Sequence, residues 1–187
     1  MEHATTAIPG LVTFTPTPIR DDRGFFCRTY DVDVARTAGL EPGSFVQDSL
    51  SRSAQGVVRG LHLRVGRGEG KLVRCSSGRV FDVVVDLRPD SSSFRTWLAF
   101  ELDGDLQNSI FIPPGCAHGH QTLTTTADTT YRIDRAHDPA EDLTIAWNDP
   151  ELAIPWPLPV TTMSEQDASA PPLAALTMEL GLVLATA

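Results

Sequence analysis

The sequence predicts an all-β fold, and three observations lead to this expectation. Short runs of β-branched residues between Gly56 and Pro114 are separated by clusters of Gly, Pro, Asp and Ser, which is the spacing of short strands joined by turns. Helical periodicity is scarce in the rest of the chain. Residues 79–88 alternate between two contrasting faces, as a strand does. A sandwich or barrel of several strands is therefore expected.

The strand at residues 79–88 is the clearest of the predicted elements. One of its faces is entirely apolar and is expected to lie in the core, with Phe81, Val83, Val85 and Leu87. The other face combines valines with two carboxylates, in Val80, Asp82, Val84 and Asp86. That combination indicates a strand whose second side lines a polar cavity inside the sandwich or barrel.

Further strands and two short helices are expected around this strand. β-Branched and aromatic runs bounded by turn residues predict strands at residues 97–102, 109–113 and 129–133. A helix is predicted at residues 32–38, and a second after Pro171 through Leu173, Leu176 and Leu180. Residues 1–20 are expected to form an N-terminal strand or arm, and residues 155–187 a surface wrap that ends in the second helix.

Length, charge and cysteine content restrict the class of protein. A chain of 187 residues with 41% hydrophobic content suits a single domain. The net charge of −9, from 24 acidic and 15 basic residues, argues against a nucleic-acid surface. No apolar run reaches the roughly 20 residues of a membrane-spanning helix. The cytoplasm is expected because there is no secretory signal and the three cysteines form no CxxC pair: Cys27, Cys75 and Cys116.

His62 is the first candidate for chemistry, in the run Arg59-Gly60-Leu61-His62. Gly60 is expected to let the backbone pass close to a neighbour or ligand. Residues two apart share a strand face, so Arg64 is expected to join His62, and Lys71 on the next strand to reach the same cavity. Taken alone, a histidine between leucines is more often a core residue than a catalyst.

Cations are expected to cluster around His62 despite the negative net charge. They are Arg23, Arg59, Arg64, Lys71 and Arg74. Clustered guanidinium and ammonium groups suit a phosphorylated ligand. On composition alone, solvated strand edges explain the same residues equally well.

The run His118-Gly119-His120 is compatible with a metal site, because two histidines at this spacing can bind one cation from a strand face. The carboxylate expected a few residues later is missing, since Gln121-Thr122-Leu123 follows. We therefore favour a hydrogen bond between His118 and a carboxylate such as Asp82, and no metal. Tyr131 is expected to pack in the core with its hydroxyl on a backbone partner.

A series of motifs in fixed order resembles one enzyme family. The motifs are DRGFF (22–26), QD (47–48), SRS (51–53), GVVRGLH (56–62), KLVRC (71–75), VFDVVVDLR (80–88), IPPGCAHG (112–119), YR (131–132), WNDP (147–150) and SEQD (164–167). Each motif alone is weak evidence, but the ordered set is specific. Over roughly residues 21–176, the chain resembles the dTDP-4-dehydrorhamnose 3,5-epimerases.

This resemblance implies a cupin-like jelly roll with short peripheral helices, acting as a homodimer without cofactor or metal. The implied reaction inverts carbon 3, carbon 5 or both in a nucleotide-linked 4-keto-6-deoxy sugar, with dTDP as the nucleotide. His62 resembles the general base and Asp167 its orienting partner. Lys71 resembles the enolate stabiliser and Tyr131 the acid on the opposite face. The implied substrate contacts are Arg23 and Arg59 at the pyrophosphate, with Gln47, Phe26, Asp82 and His118 elsewhere.

The sequence departs from the family pattern where the substrate is expected to lie. After His62 the family usually has an aromatic residue and Gln, then Pro and Gln ahead of the lysine. Here the segment begins Leu63-Arg64 and continues VGRGEG. Arg28 replaces an acidic residue, Ser49 an asparagine, and His137 a second aromatic residue. The reaction is therefore expected to persist, while the nucleotide, the sugar and the number of inverted carbons stay open.

Two other functions remain open on the sequence. One is a non-catalytic nucleotide-sugar binding module, which would need no base and acid on opposite faces. The other is a metal-dependent jelly-roll oxygenase or isomerase that uses His118 and His120, and for which a carboxylate ligand is missing. Solvent deuterium incorporation into nucleotide-linked 4-keto sugars separates these functions from epimerisation.

Overall fold

The computed structural model describes residues 1–176, in which thirteen strands form two large antiparallel sheets and a separate hairpin. The strands are β1 (Glu2–Thr5), β2 (Val12–Thr15), β3 (Ile19–Asp21), β4 (Gly24–Phe26), β5 (Gln47–Ala54), β6 (Val58–Arg64), β7 (Lys71–Ser77), β8 (Arg79–Asp86), β9 (Trp97–Asp103), β10 (Ser109–Ile112), β11 (Cys116–Thr122), β12 (Thr126–Ile133) and β13 (Asp142–Thr144). The α-helices are α1 (Val32–Thr37) and α2 (Glu165–Ala168), and the 3-10 helices are Pro42–Ser44 and Leu173–Leu176.

The two large sheets pack face to face as a jelly roll. One has six strands in the order β1-β2-β10-β7-β12-β5, and the other has five in the order β13-β6-β11-β8-β9. Their inner faces meet in one apolar core, built from Val73, Cys75, Ile110 and Ile112 on one side and Val80, Val84, Leu102 and Cys116 on the other. The expected all-β jelly roll is confirmed.

The five-stranded sheet is buried on both of its faces. Its outer face carries a second apolar cluster, which includes Leu61, Leu63, Val83, Val85 and Ala117. The chain beyond β13 covers this cluster with Leu152, Ile154, Leu173 and Leu176. The apolar face of β8 therefore lies under the C-terminal segment, while the face with Asp82 points between the sheets, as its polar residues indicated.

The predicted elements are present with small differences in extent. β8, β9, β10 and β12 occupy the four predicted strand positions, and α1 occupies the first predicted helix. Asp31 caps the N-terminus of α1, and its carboxylate accepts hydrogen bonds from the backbone N–H groups of Asp33 and Val34. The second predicted helix is a 3-10 helix at Leu173–Leu176, and Leu180 lies outside the described residues. No helix within residues 1–176 is long and apolar enough to cross a membrane.

β6 and β11 approach each other closely at a pair of glycines. A Cβ atom on Gly60 would lie 2.5 Å from the Cα of Gly119, and the φ angle of Gly60 is +129°. The pairing register of the two strands shifts at the same place, between His118 and His120. The close approach expected at Gly60 is thus confirmed, and it occurs beside the point where His62 and His118 are cross-strand partners.

Replacing Gly60 with Ala should destabilise the fold by at least about 3 kcal/mol, because the new methyl group overlaps the backbone of β11. Gly24 provides a matched control, since its φ is +124° and nothing lies within 4 Å of its Cβ position. Gly24→Ala should cost only the backbone strain, about 1 kcal/mol. Urea unfolding of both variants measures the difference, and equal losses would contradict this account of Gly60.

Candidate active site

His62 lies on β6 with its side chain between the sheets, because its neighbours Leu61 and Leu63 point to the outer cluster. Its Nε2 atom is 2.7 Å from Oδ1 of Asp167. A carboxylate accepts hydrogen bonds, so Nε2 carries the proton and Nδ1 keeps a lone pair. The His62 side chain is 45% exposed and that of Asp167 only 4%. This geometry suits a histidine that accepts a proton from a ligand.

Asp167 is brought to His62 by the one-turn helix α2. The hydroxyl of Ser164 caps this helix by accepting a hydrogen bond of 3.0 Å from the Asp167 N–H. Burial raises the pKa of Asp167, but the hydrogen bond and charge of His62, with further contacts from Ser164 and Gly60, leave that pKa below its ordinary value. Asp167 is therefore ionised, and it orients the imidazole and stabilises its protonated form.

A second histidine–carboxylate pair lies beside the first. His118 Nε2 is 2.8 Å from Oδ2 of Asp82, which confirms the expected hydrogen bond. Burial raises the pKa of Asp82, and the charges of His118 and Lys71 offset part of this effect. Asp82 is fully buried and His118 nearly so, so this pair is closed to solvent.

Tyr131 lies on β12, in the sheet opposite His62. Its ring packs edge-on against His118, with 6.2 Å between ring centroids. The hydroxyl lies 3.4 Å from Oγ of Ser51, so its partner is a side chain and not the expected backbone group. Burial raises the pKa of Tyr131 to about 12. The phenol is therefore neutral near pH 7 and carries a proton that it can donate.

Lys71 lies at the start of β7 and shares the inner face of that strand with Val73 and Cys75. Its Nζ atom is 2.6 Å from Oε1 of Glu69. A cavity of about 220 Å³ has Lys71, Arg64, Glu69 and His62 in its wall. The expectation that Arg64 and Lys71 reach the His62 cavity is confirmed.

A second cavity, of about 550 Å³, also has His62 in its wall. Its wall includes Arg59 and Asp167, and it shares His62 and Gln166 with the first cavity. The Arg59 guanidinium donates to Oγ of Ser53 over 2.9 Å. His62 is thus in the wall of a cavity that contains Lys71 and of another that contains Arg59.

Gln47 belongs to the same face of the six-stranded sheet as Lys71. Ile133 is the cross-strand partner of Gln47 on one side and of Lys71 on the other. Residues paired in this way point to one side of a sheet. Gln47 is therefore in line with Lys71, although it lines a separate hollow at the sheet edge.

Arg23, Phe26 and Arg74 lie away from His62 within one chain. Arg23 and Phe26 lie on the β3–β4 hairpin, where the Arg23 side chain is 90% exposed and pairs with Asp21, and Phe26 is 68% exposed. Neither lines the two cavities at His62. Arg74 donates to Gln107 from the opposite face of β7. The expected clustering of cations is wrong for Arg23 and Arg74 within a single chain.

Asp82, His118 and His120 form a group that could hold a divalent cation, since their ligand atoms lie within 4.8 Å of one another. The expectation of a missing carboxylate ligand was wrong, because Asp82 supplies one from β8. A cation there would have to displace the hydrogen bond between His118 and Asp82. Burial, with the charges of His118, Arg59 and His62, lowers the pKa of His120 to about 3. His120 is therefore neutral near pH 7.

Two features of the site were missed on the sequence. The first is Glu69, which precedes Lys71 by two residues and is the carboxylate that this spacing could have suggested. The second is α2, whose signal is a serine at position 164 followed three residues later by an acidic residue.

Comparison with known proteins agrees with this geometry. A family-wide sequence profile described as dTDP-4-dehydrorhamnose 3,5-epimerase matches residues 5–175. The chain belongs to this family. It is 43% identical over 168 residues to the dTDP-4-dehydrorhamnose 3,5-epimerase of Pseudomonas aeruginosa, covering 89% of this chain and 93% of that one.

Two further members of the epimerase family are similar to this chain. A dTDP-4-dehydrorhamnose 3-epimerase of Streptomyces niveus is 38% identical over 164 residues, covering 87% of this chain and 79% of that one. The crystal structure of a dTDP-6-deoxy-D-glucose-3,5-epimerase from Legionella pneumophila, in complex with dTDP-4-keto-L-rhamnose, has a TM-score of 0.89, 37% identity and 96% coverage of both chains. The resemblance predicted from the motifs is confirmed, and the family is one of isomerases.

Because His120 is buried and neutral, the free energy of unfolding should depend on pH. Its pKa is about 3 in the folded chain and about 6.5 when unfolded, so the unfolded chain binds more protons between these values. Stability should therefore rise with pH across this window. Protonation of His120 in the unfolded chain should lower the free energy of unfolding by roughly 2 kcal/mol between pH 7 and pH 5. In His120→Phe this part of the decrease should be absent.

Denaturant unfolding at both pH values measures this difference. His3→Gln is the control, because it removes an exposed imidazole that water solvates in both states. If His120→Phe and the wild type lose the same stability on acidification, His120 does not behave as a buried neutral base.

Proposed function

We propose that this chain inverts carbon 3, and in suitable substrates also carbon 5, of a dTDP-linked 4-keto-6-deoxy sugar. One observation carries the proposal. His62, with Asp167, faces the interior from the five-stranded sheet, and Tyr131 and Lys71 face it from the six-stranded sheet. Relatives named 3,5-epimerase and 3-epimerase both support carbon 3 as a reacting centre. The dTDP sugar bound to a similar structure supports the nucleotide.

Proton abstraction needs a base and a cation. A C–H bond beside a ketone becomes acidic as negative charge moves onto the carbonyl oxygen, and the ammonium of Lys71 stabilises that charge in a largely buried cavity. His62 takes the proton at Nδ1. Asp167, 2.7 Å from Nε2, stabilises the imidazolium that results.

Inversion requires that the proton return from the other face of the sugar. His62 belongs to β6 in the five-stranded sheet and Tyr131 to β12 in the six-stranded sheet. Tyr131 is outside the walls of the two cavities at His62, so the sugar is placed between the sheets, with the base on one side and the phenol on the other. Because Tyr131 is neutral near pH 7, it has a proton to give.

Each of the two cavities at His62 holds a different part of the substrate. Arg59 has hydrogen bonds only to neutral oxygens within the described residues, the Ser53 hydroxyl and the Arg52 carbonyl, so its positive charge is available to a pyrophosphate. Lys71 lines the other cavity, where the ketone belongs. The nucleotide and the sugar thus occupy different cavities at His62.

A homodimer completes this function. The β3–β4 hairpin presents Ile19 and Phe26, both 68% exposed, and the edge strand β5 presents Leu50 at 62%. An exposed apolar hairpin and an open sheet edge favour pairing with a second copy. In such a dimer, Arg23 and Phe26 serve the site of the partner. The three free cysteines support a cytoplasmic location.

The first test follows deuterium from solvent into dTDP-4-keto-6-deoxyglucose by NMR. The wild type should incorporate deuterium and invert the sugar. His62→Asn should abolish exchange at every carbon, since the base is lost. Tyr131→Phe should still exchange with retention, while inversion falls by roughly 10²–10⁴, the usual worth of a positioned acid.

Matched controls are the other tyrosine and an exposed histidine, Tyr30→Phe and His3→Asn, both of which should invert at the native rate. Native inversion by Tyr131→Phe would make that residue a packing group, with His137 the next acid to test. A wild type that binds the sugar without exchange would be a binding module. Activity lost with a chelator and restored by a metal would favour chemistry at Asp82, His118 and His120.

The second test mixes two inactive variants. Arg23→Ala removes a residue that is proposed to act in the partner, and His62→Asn removes one that acts in its own chain. An equal mixture that re-pairs at random should regain roughly a quarter of wild-type activity, because half of the dimers are then heterodimers and each of these has one complete site out of two. Each variant alone is the control. No recovery after verified heterodimer formation would show that Arg23 does not cross between subunits.

A further inference from the structure

Three charged side chains adjoin one another in the wall of the cavity that contains His62. Glu69 stands between the other two, with Oε1 2.6 Å from Nζ of Lys71 and Oε2 2.6 Å from Nη1 of Arg64. The exposed fractions of the three side chains are 5% for Arg64, 7% for Glu69 and 12% for Lys71. Such a carboxylate is held between two cations where water cannot screen the charges.

Arg64 is occupied by protein groups. In addition to its ion pair with Glu69, its guanidinium donates to the carbonyl oxygen of Ala136 over 3.1 Å and to Nδ1 of His137 over 3.0 Å, and its Nε is 3.4 Å from Asp142. With its donors used in this way, Arg64 is not arranged to bind a substrate. Its contacts hold Glu69 in place.

Lys71 is different in kind from the other cations. It is the only lysine in the sequence, and every other basic residue apart from histidine is an arginine. An ammonium has three donors, and within the described residues Glu69 is the single ion-pair partner of Lys71. Donors therefore remain for a ligand in the cavity. A compact ammonium concentrates charge on one oxygen atom, which a planar guanidinium does not.

We propose that Glu69, held by Arg64, is a positioning residue that keeps the Lys71 ammonium directed at the ketone oxygen. The inference rests on the proposed function, in which Lys71 stabilises the enolate. Without the carboxylate, Arg64 and Lys71 become two unscreened cations in a buried wall, and repulsion moves the ammonium from its place. The charges of Arg64 and Glu69 act as a pair, with 2.6 Å between Nη1 and Oε2.

The ion pairs of Glu69 with Arg64 and Lys71 predict how kcat differs between a single and a double variant. Glu69→Gln should lower kcat roughly 10- to 100-fold, somewhat less than the loss of a donor to the oxyanion itself, and change KM less than about threefold. The double variant Arg64→Gln/Glu69→Gln also removes the repelling cation and should recover most of kcat. Glu141→Gln is the control, because it breaks a nearby pair with Arg135 that lies outside this group.

The sole lysine gives a second readout that does not need turnover. Protein labelled with 15N at the lysine Nζ has one such resonance, from Lys71. Its ammonium protons should exchange slowly with water in the wild type. They should exchange rapidly in Glu69→Gln, because the ion pair with the carboxylate is lost.

The outcomes are distinct. A native kcat in Glu69→Gln would overturn the positioning role, and equal loss in the single and double variants would overturn the part assigned to repulsion between Arg64 and Lys71. A wild type without exchange on any 4-keto sugar would instead refute the proposed function. In that case the Lys71 resonance still tests whether Glu69 and Lys71 form an ion pair. The same proton exchange rate in wild type and Glu69→Gln would overturn the ion pair, and a faster rate in Glu69→Gln would support it.

Discussion

Burial of the outer face of the five-stranded sheet is the interaction on which the active site depends. Leu152, Ile154, Leu173 and Leu176 cover that face, and a large apolar side chain gains on the order of 1.5–3 kcal/mol when it is fully buried. Helix α2 lies between these anchors in the chain and has only one turn of its own. Its position beside β6, and with it the carboxylate of Asp167, is therefore fixed by packing on either side and by the Ser164 cap.

Charge in the interior is balanced locally. Asp167 accompanies His62, Asp82 accompanies His118, and Glu69 lies between Arg64 and Lys71. Buried charges without partners are too costly to maintain, so each catalytic or structural charge in the wall has a neighbour of opposite sign. Arg59 is exposed and differs from these interior charges, since its partners are neutral oxygens. A chain with a net charge of −9 can thus offer a cation to a doubly charged pyrophosphate.

Much of the fold followed from local sequence patterns. The alternation in β8 correctly separated a polar interior face from an apolar face, although what covers the apolar face could not be read from a single strand. Gly60 was identified because a glycine inside a strand pattern often marks a bulge or the close approach of another backbone. The motifs in fixed order identified the family, which position-by-position propensities could not have done.

The features that the sequence did not reveal depend on contacts between distant segments. The partner of Tyr131 is Ser51, 80 residues away, and the carboxylate beside His118 and His120 comes from another strand. The wrong clustering of Arg23 and Arg74 has the same origin, because strand order and face decide which cations meet. Glu69 was hidden among glycines and basic residues whose composition is typical of an exposed turn.

The separation of His62 from Asp167 has a consequence for the order of events during synthesis. The two residues lie 105 positions apart, and the carboxylate belongs to a segment made after all thirteen strands. Synthesis proceeds from the N-terminus, so the strands of both sheets are present in the chain before Asp167 is added. A nascent chain can therefore assemble its two sheets and still lack a competent base. Proton transfer from the sugar becomes available only when helix α2 has packed against the finished jelly roll.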